Sequence, residues 1–547
     1  MRLKRIRPVG QAAKTSPSHG ENMGSIPVRV TSKTHTIVCV FLFLICITIL
    51  CKFVSKNKIF RCILPKINFA ENILTKRVDK RINFCYNAVN CRLQKLLRFS
   101  SASAEYIFCN FLKEKRSFDR GDFQTRSMKY NAIVGQSGGP TAAINATLAG
   151  VIYGAKLSDE IETLYGAFNG IEGMLNENLC NLSEIFTDNR DIEILTQTPA
   201  AALGSCRVKL PDPDSEKGKE TFTHLFRVFE KYNIRSFFYI GGNDSMDTVA
   251  KLSKASEKFD YPMQFIGVPK TIDNDLCGTD HTPGFGSAAK FIAASMQEVL
   301  RDCAVYTVKA VTIVEIMGRD AGWLTAAASI PAILSNHAPD LIYLPEVPFD
   351  MEQFLSDIEE NFKTHPDVVI AVSEGIRYAD GRYVGEGTQT GATDIFGHKY
   401  LAGTAKALEF AVKERFVCKV RSFDFNLPQR CAAHMLAKAD VEEAIGVGKY
   451  AVHCADKGIS GCMIGYVRTD APYTISYRPV PVAEIANQVK AVPREFINEK
   501  GNYVTEACLD YLLPLIQGEY PTIYKNGIPL HFDLKTPNTQ LNKFKLR

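Results

Sequence analysis

Short apolar runs rich in β-branched and aromatic residues recur through the chain at 130–134, 236–240, 265–268, 311–316 and 368–372, each followed within two residues by glycine, proline or a charged residue. Their apolar character is too continuous for strands with one wet face, and predicts strands buried on both sides. Between them the period changes. Residues 142–156 and 287–301 carry apolar positions at helical spacing, and predict amphipathic helices. Strand and helix in alternation predict an α/β fold built on a parallel sheet with helices on its faces. Ligands in such sheets bind beyond the carboxyl ends of the strands, and the unusual residues of this chain fall there.

Composition supports a globular protein, with 46% hydrophobic and 23% charged residues among 547. The net charge of +6 hides two kinds of sequence: residues 1–127 carry 24 Lys/Arg against 7 Asp/Glu, and the rest carries 41 against 52. An acidic body gives no electrostatic reason to expect a nucleic-acid partner. In the basic part, 37–51 is an uncharged run of fifteen residues between Lys33 and Lys52. It is shorter than the ~20 residues of a membrane-spanning helix and at the upper end of the ~7–15 of a signal core. It reads as a membrane anchor, a targeting segment, or upstream sequence that the working protein does not carry. The last is the expectation, because Met128 is followed directly by the first strand; membrane attachment is not expected. Of 16 cysteines, seven precede Met128 and the others are scattered without a CxxC pair, so reduced thiols are expected. Cys431 and His434, three apart, make half a metal site at best.

Four constellations carry chemistry. The first is GQSGGP at 135–140, between a strand and a helix; paired glycines there let backbone N–H groups approach an anion, or simply make a tight turn. The second is GGNDS at 241–245, after another strand, where Asp244 and Ser245 either shape a phosphate site or cap the next helix. The third, PKTIDND at 269–275, sets a lysine, a hydroxyl and two aspartates within six residues. If the segment stays extended, Asp273 and Asp275 share one side, one to take a proton and one to hold Mg²⁺. The fourth, EIMGRDAGW at 315–323, puts Arg319 just past a strand, suited to a phosphorylated ligand or to developing negative charge. Ser373-Glu374-Gly375 ends a further strand, and Arg421 and Arg430 bracket a loop.

Together these motifs, with LGSCR at 203–207, AVSEG at 371–375 and LPQR at 427–430, resemble the phosphofructokinase family in order and spacing from Met128 to at least residue 440. The resemblance implies a two-lobed, three-layer α/β fold with the active site in the cleft between the lobes. It implies an enzyme of glycolysis that phosphorylates fructose 6-phosphate reversibly, with Mg²⁺ as cofactor, in the cytoplasm, as a homo-oligomer. The implied organisation is a basic extension over 1–127, a catalytic region over 128–440, and a segment over 441–547 completing or covering the lobes. Asp273, Asp244, Lys270 and Arg319 are the implied catalytic residues. Thr271, Ile272, Asp273, Met317, Gly318, Arg319, Glu374, Arg421 and Arg430 are implied to bind the sugar phosphate, Arg421 doing so in a neighbouring subunit. Gly138, Arg207, Asp244, Ser245 and Lys270 are implied to line the donor phosphates.

The chain departs from the family pattern at several points. Asn243 stands where a metal-binding aspartate is usual, so the implied metal residues, Asn243 and Asp275, are an incomplete set. Leu427 replaces a His or Tyr, and Ala310 replaces a basic residue, with Lys309 beside it. Asp244 stands where ATP users of the family have glycine, and with Lys270 it implies pyrophosphate as donor. An ATP-dependent enzyme and a non-catalytic sugar-phosphate-binding subunit are the alternatives. Kinases of lipids or of NAD share a GGD-type loop but lack PKTIDND and MGRDAGW.

Overall fold

The structure, a computed structural model, describes residues 129–534 apart from 260, 306, 335–336, 387–402 and 486–487. The basic extension, its apolar run and Met128 lie outside the described residues. Among the described residues no helix is long and apolar enough to cross a membrane.

Eleven strands build the two sheets that matter for the site: β1 (Tyr130–Gln136), β2 (Ile161–Ala167), β3 (Leu179–Asn181), β4 (Ile234–Gly241), β5 (Gln264–Pro269), β6 (Ala310–Ile316), β7 (Leu341–Tyr343), β8 (Asp367–Ser373), β9 (Lys419–Asp424), β10 (Cys462–Asp470) and β11 (Tyr473–Pro481). The first sheet runs β11-β10-β5-β4-β1-β2-β3 and the second β7-β8-β6-β9. The five continuous apolar runs are β1, β4, β5, β6 and β8, all flanked by neighbours on both sides, which is why both faces of each are apolar. The second sheet is wholly parallel. The first has a parallel centre with antiparallel edges, β3 against β2 and β11 against β10.

The predicted helices appear as Ile144–Leu157 and Phe285–Cys303. Ile144–Leu157 packs against a third helix, Lys438–Asp456, at backbone contact. A β-carbon on Gly150 would lie 2.3 Å from the Ile445 carbonyl oxygen, and one on Gly448 2.4 Å from that of Thr147. The two helices therefore cross closely only because both positions lack a side chain. Apolar side chains from this pair, including Leu148, Ile152, Val447 and Ala451, cover one face of the first sheet. The boundary expected at residue 440 falls in the first turn of Lys438–Asp456, and the chain beyond it re-enters the first sheet as β10, beside β5.

A buried ionic network ties these pieces together behind the loop that follows β5. His281 is 2% exposed, and its two ring nitrogens meet Asp280 at 2.8 Å and Glu443 at 2.7 Å. Two carboxylate acceptors require both nitrogens to donate, so the ring is an imidazolium. Tyr473 adds a hydrogen bond to Glu443 at 2.8 Å, and Arg468 lies 3.9 Å from Asp280. Burial alone would lower the His281 pKa, but the bonds to Asp280 and Glu443 outweigh it and raise the value above the ordinary one. A group whose folded pKa is raised contributes fully below its unfolded value, ~6.5, and loses that contribution as pH rises through the folded value. We predict that His281→Gln costs about 3 kcal/mol at pH 6, the scale of breaking a buried pair. The cost should shrink at pH 9. Urea denaturation of both proteins at the two pH values checks this, and an equal loss at both would disprove the imidazolium assignment.

Candidate active site

The register of the first sheet brings three loops to one edge. Gln136 pairs with Ile240 and Gly241 with Pro269, so β1, β4 and β5 end side by side. Lys270, the first residue past β5, is 2% exposed and donates from Nζ to the Gly139 carbonyl at 2.6 Å. Its backbone N–H bonds the Gly241 carbonyl at 3.0 Å. One buried lysine thus joins the GQSGGP and GGNDS loops. Burial pushes its pKa down to about 8, against the pull of Asp273 and Asp275. Gly138 has φ +78°, and a β-carbon there would lie 3.3 Å from the Lys270 ammonium. Its own N–H is turned to the Cys206 carbonyl at 3.3 Å. The glycine therefore contributes room beside a cation rather than an N–H donor. The same contact carries Arg207 to this edge. Ser205 reinforces it, donating to the Gly138 carbonyl at 2.5 Å.

Asn243 opens the helix Asn243–Ser256 behind Gly242, and neither Asp244 nor Ser245 caps it. Asp244 pairs with Lys209 at 3.0 Å, both groups being half exposed. Ser245 is buried, and its hydroxyl has no hydrogen-bond partner. Asn243 donates from Nδ2 to the Gln488 carbonyl at 2.9 Å, and its buried Oδ1 has no partner.

Beyond Lys270 the segment is not extended, because Asn274 takes φ +54°. Asp273 and Asp275 nonetheless sit close enough to act on each other. Burial raises the pKa of both carboxyls, and the Asp275 charge raises Asp273 further; Lys270 and Arg319 oppose. Thr271 accepts from the Asp273 N–H at 3.1 Å, which pins the turn. Ile272 points the other way. Its side chain is buried with Phe285, Trp323 and their neighbours, so only its backbone faces a ligand.

The second sheet supplies the opposing wall. Ile316 pairs with Ser373 and Glu315 with Asp424, so β6, β8 and β9 also end level. Glu374 accepts from the Gly318 N–H at 3.3 Å. Burial, with Asp273 and Glu315 nearby, pushes its pKa up to about 8. The Met317 N–H is taken by Gln429 at 3.1 Å. Arg319 has a buried Nε without a partner, and Arg377 fixes its carbonyl at 3.1 Å. Arg430 has its pKa lowered by burial and then by Arg207, while Asp273 and Glu374 pull the other way. Arg430 also lies beside the GQSGGP loop, its Nη1 3.9 Å from where a β-carbon on Gly139 would stand.

Arg421, implied to serve a neighbouring subunit, does not join this group, and neither does Leu427, one of the departures from the family pattern. Arg421 lies opposite Thr312 in the middle of β9, about four residues (~13 Å) short of the strand ends. It is 45% exposed and meets Asp302 at 3.5 Å. Leu427 is 52% exposed. Sequence reasoning missed Gln429, Arg377 and Lys490. Gln429 was within reach of it, lying inside LPQR beside Arg430. Lys490 sits in irregular backbone with no motif around it.

Two α/β sheets facing each other across a lysine, paired carboxylates and several arginines define a phosphoryl-transfer fold, and comparison with known proteins identifies it. Residues 131–423 match the family model described as phosphofructokinase. The chain belongs to the phosphofructokinase family. It is 42% identical over 407 residues to the pyrophosphate--fructose 6-phosphate 1-phosphotransferase of Halomonas elongata, covering 73% of this chain and 95% of that one. The enzyme of the same name from Methylococcus capsulatus is also 42% identical, covering 73% of this chain and 94% of its own. Among solved structures, the pyrophosphate-dependent phosphofructokinase of Nitrosospira multiformis superposes with TM-score 0.67 at 38% identity, covering 74% of this chain and 96% of that one.

Proposed function

We propose that the chain transfers a phosphoryl group reversibly between pyrophosphate and the 1-hydroxyl of fructose 6-phosphate. The observation that carries this reading is the pairing of a donor wall, with Lys270 buried against the Gly138-Gly139 turn, and an acceptor wall holding Glu374, Arg319 and Arg430. Asp273 lies near enough to Lys270 and Arg319 for both cations to oppose the rise in its pKa that burial causes. Its desolvation suits a group that takes the hydroxyl proton near neutral pH. Arg430 is suited to the 6-phosphate, Arg319 with Glu374 and the Met317-Gly318 backbone to the sugar and the charge that develops beside Asp273, and Lys270 with Arg207 to the donor phosphates. A cytoplasmic location goes with this reading.

Mg²⁺ suits the donor set. Asn243 offers a buried carbonyl oxygen without a partner, and Asp275 a carboxylate. These two would hold the ion together with oxygens of the donor, the usual arrangement for a cation that keeps few protein ligands. When bound it would neutralise charge on the transferring phosphate.

The donor assignment rests on Asp244. A carboxylate at this point repels the α-phosphate of a nucleotide, whereas pyrophosphate has none to place. Its ion pair with Lys209 is half exposed and adds little stability, which leaves selection of the donor as its role. Arg421 is read as serving a second copy of the chain. It stands on the edge strand β9 of the second sheet, next to the exposed Phe423, and away from its own cleft.

Three outcomes are expected. Asp273→Ala lowers turnover ~10²-fold or more, the scale of a lost general base, with KM changed far less; near-normal turnover in a steady-state assay would remove Asp273 from the mechanism. Wild type turns over with pyrophosphate and barely with ATP, while Asp244→Gly loses pyrophosphate activity and gains some with ATP; a wild type that uses only ATP refutes the donor. Sedimentation velocity finds a dimer or larger, and Arg421→Ala raises KM for fructose 6-phosphate ~10-fold, as for loss of a charged phosphate contact. A fully active monomer contradicts the shared site.

A further inference from the structure

A run of five residues behind the cleft, 488–492, touches the loops of both walls. The Gln488 carbonyl accepts from Asn243 Nδ2 at 2.9 Å. The Lys490 N–H donates to the Asp275 carbonyl at 2.8 Å. The Lys490 carbonyl accepts from the Trp323 indole at 3.0 Å. The Val492 N–H donates to Glu346 Oε1 at 2.8 Å, the same oxygen that takes the Gly322 N–H at 2.8 Å. The GGNDS loop, the PKTIDND turn and the end of the MGRDAGW turn are therefore fastened to one short stretch of backbone.

Lys490 is the anchor of that stretch. Its ammonium donates to the carbonyls of Asp280 and, at 3.5 Å, Thr279, and lies 4.9 Å from the centre of the Trp323 ring. Its amide holds Asp275 at the start of the 275–280 loop and its ammonium holds Asp280 at the end. The loop is closed by one residue at both ends. Tyr511 strengthens the closure, donating to the Asp280 carbonyl at 2.9 Å while accepting from Asn274 at 3.1 Å. A long side chain so fully engaged has lost its rotamer freedom, a cost that only packing and hydrogen bonds offset. The run meets Asn243 and Trp323 through their side chains and Asp275 through its backbone carbonyl; its effect on Asp273, Lys270 and Arg319 passes through these three residues.

We propose that Lys490 is a positioning residue for the phosphoryl transfer, and that 488–492 is a strap keeping the donor-side and acceptor-side loops in the register the reaction needs. This rests on the reading of Asp273 as base. A displacement of ~1 Å in such a site costs on the order of 10²-fold in rate.

The test uses the full chain with fructose 6-phosphate and pyrophosphate. Lys490→Met is expected to lower kcat ~10–10²-fold, with KM for both substrates within about threefold of wild type and an unchanged far-ultraviolet circular dichroism spectrum. Trp323→Phe removes the indole donor to the Lys490 carbonyl and shrinks the buried ring under its ammonium; with an unchanged circular dichroism spectrum it is expected to give a smaller fall in kcat, ~3–10-fold, again without a rise in KM. A folded Lys490→Met protein with wild-type kcat overturns the proposal, as does a loss confined to KM. If Lys490→Met does not fold, Trp323→Phe decides: unchanged kcat overturns the proposal and the stated fall supports it. A wild type inactive with both substrates would instead sink the underlying reading of the site.

Discussion

The site depends on burying an ammonium next to two carboxylates at the end of a strand. Lys270 can be nearly inaccessible only because the Gly139 carbonyl accepts from it and Asp273 and Asp275 offset its charge. The carboxylates in turn can be desolvated only because Lys270 and Arg319 lie near. Neither half is tolerable alone, since an unpaired buried charge costs several kcal/mol. The rest follows from this triad. The strands β1, β4 and β5 must end level so that their loops meet at Lys270, and Gly138 must lack a side chain because the ammonium occupies that space. The second sheet must face them, because Arg319 balances Asp273 from across the gap.

How much of this the sequence disclosed follows from what kind of signal each part leaves. Strands buried on both faces leave a continuous apolar run, and all five such runs are strands, each longer by one or two residues at one or both ends. Strands with an exposed face leave weaker traces. β9, KVRSFD, is an edge strand with no buried residue, and β11, at the other sheet's edge, alternates between exposed and half-buried positions; β10 opens on five buried residues that the apolar pattern did not single out. The site residues clustered in motifs were legible because phosphate chemistry needs glycines, lysines and carboxylates close together in the chain. Lys490 was not, because its partners are the backbone carbonyls of residues more than 200 positions away, and a carbonyl has no letter of its own. The expectation that Asp273 and Asp275 align by strand alternation was wrong in its premise. Asn274 adopts a left-handed conformation, and the two carboxylates come together through a turn instead.

The family pattern itself places residues that one chain cannot explain. Arg421 has no business in its own cleft: strand register alone sets it about a helix-diameter away from the level of Arg319 and Glu374. The arginine is mid-way along an edge strand and half exposed, and its contact to Asp302 at 3.5 Å is a long one. A surface ion pair of that kind is weak enough to exchange for a phosphate.

The same reasoning gives a physical account of Asn243. Where relatives of this fold use an aspartate, the amide here has a second task. Its Nδ2 donates to the Gln488 carbonyl at 2.9 Å. A carboxylate has no hydrogen to donate, so an aspartate in that place would lose this bond. The contact between the GGNDS loop and 488–492 therefore uses the amide hydrogen that an aspartate lacks. The amide at residue 243 thus bonds its loop to 488–492 and leaves one side-chain oxygen without a partner.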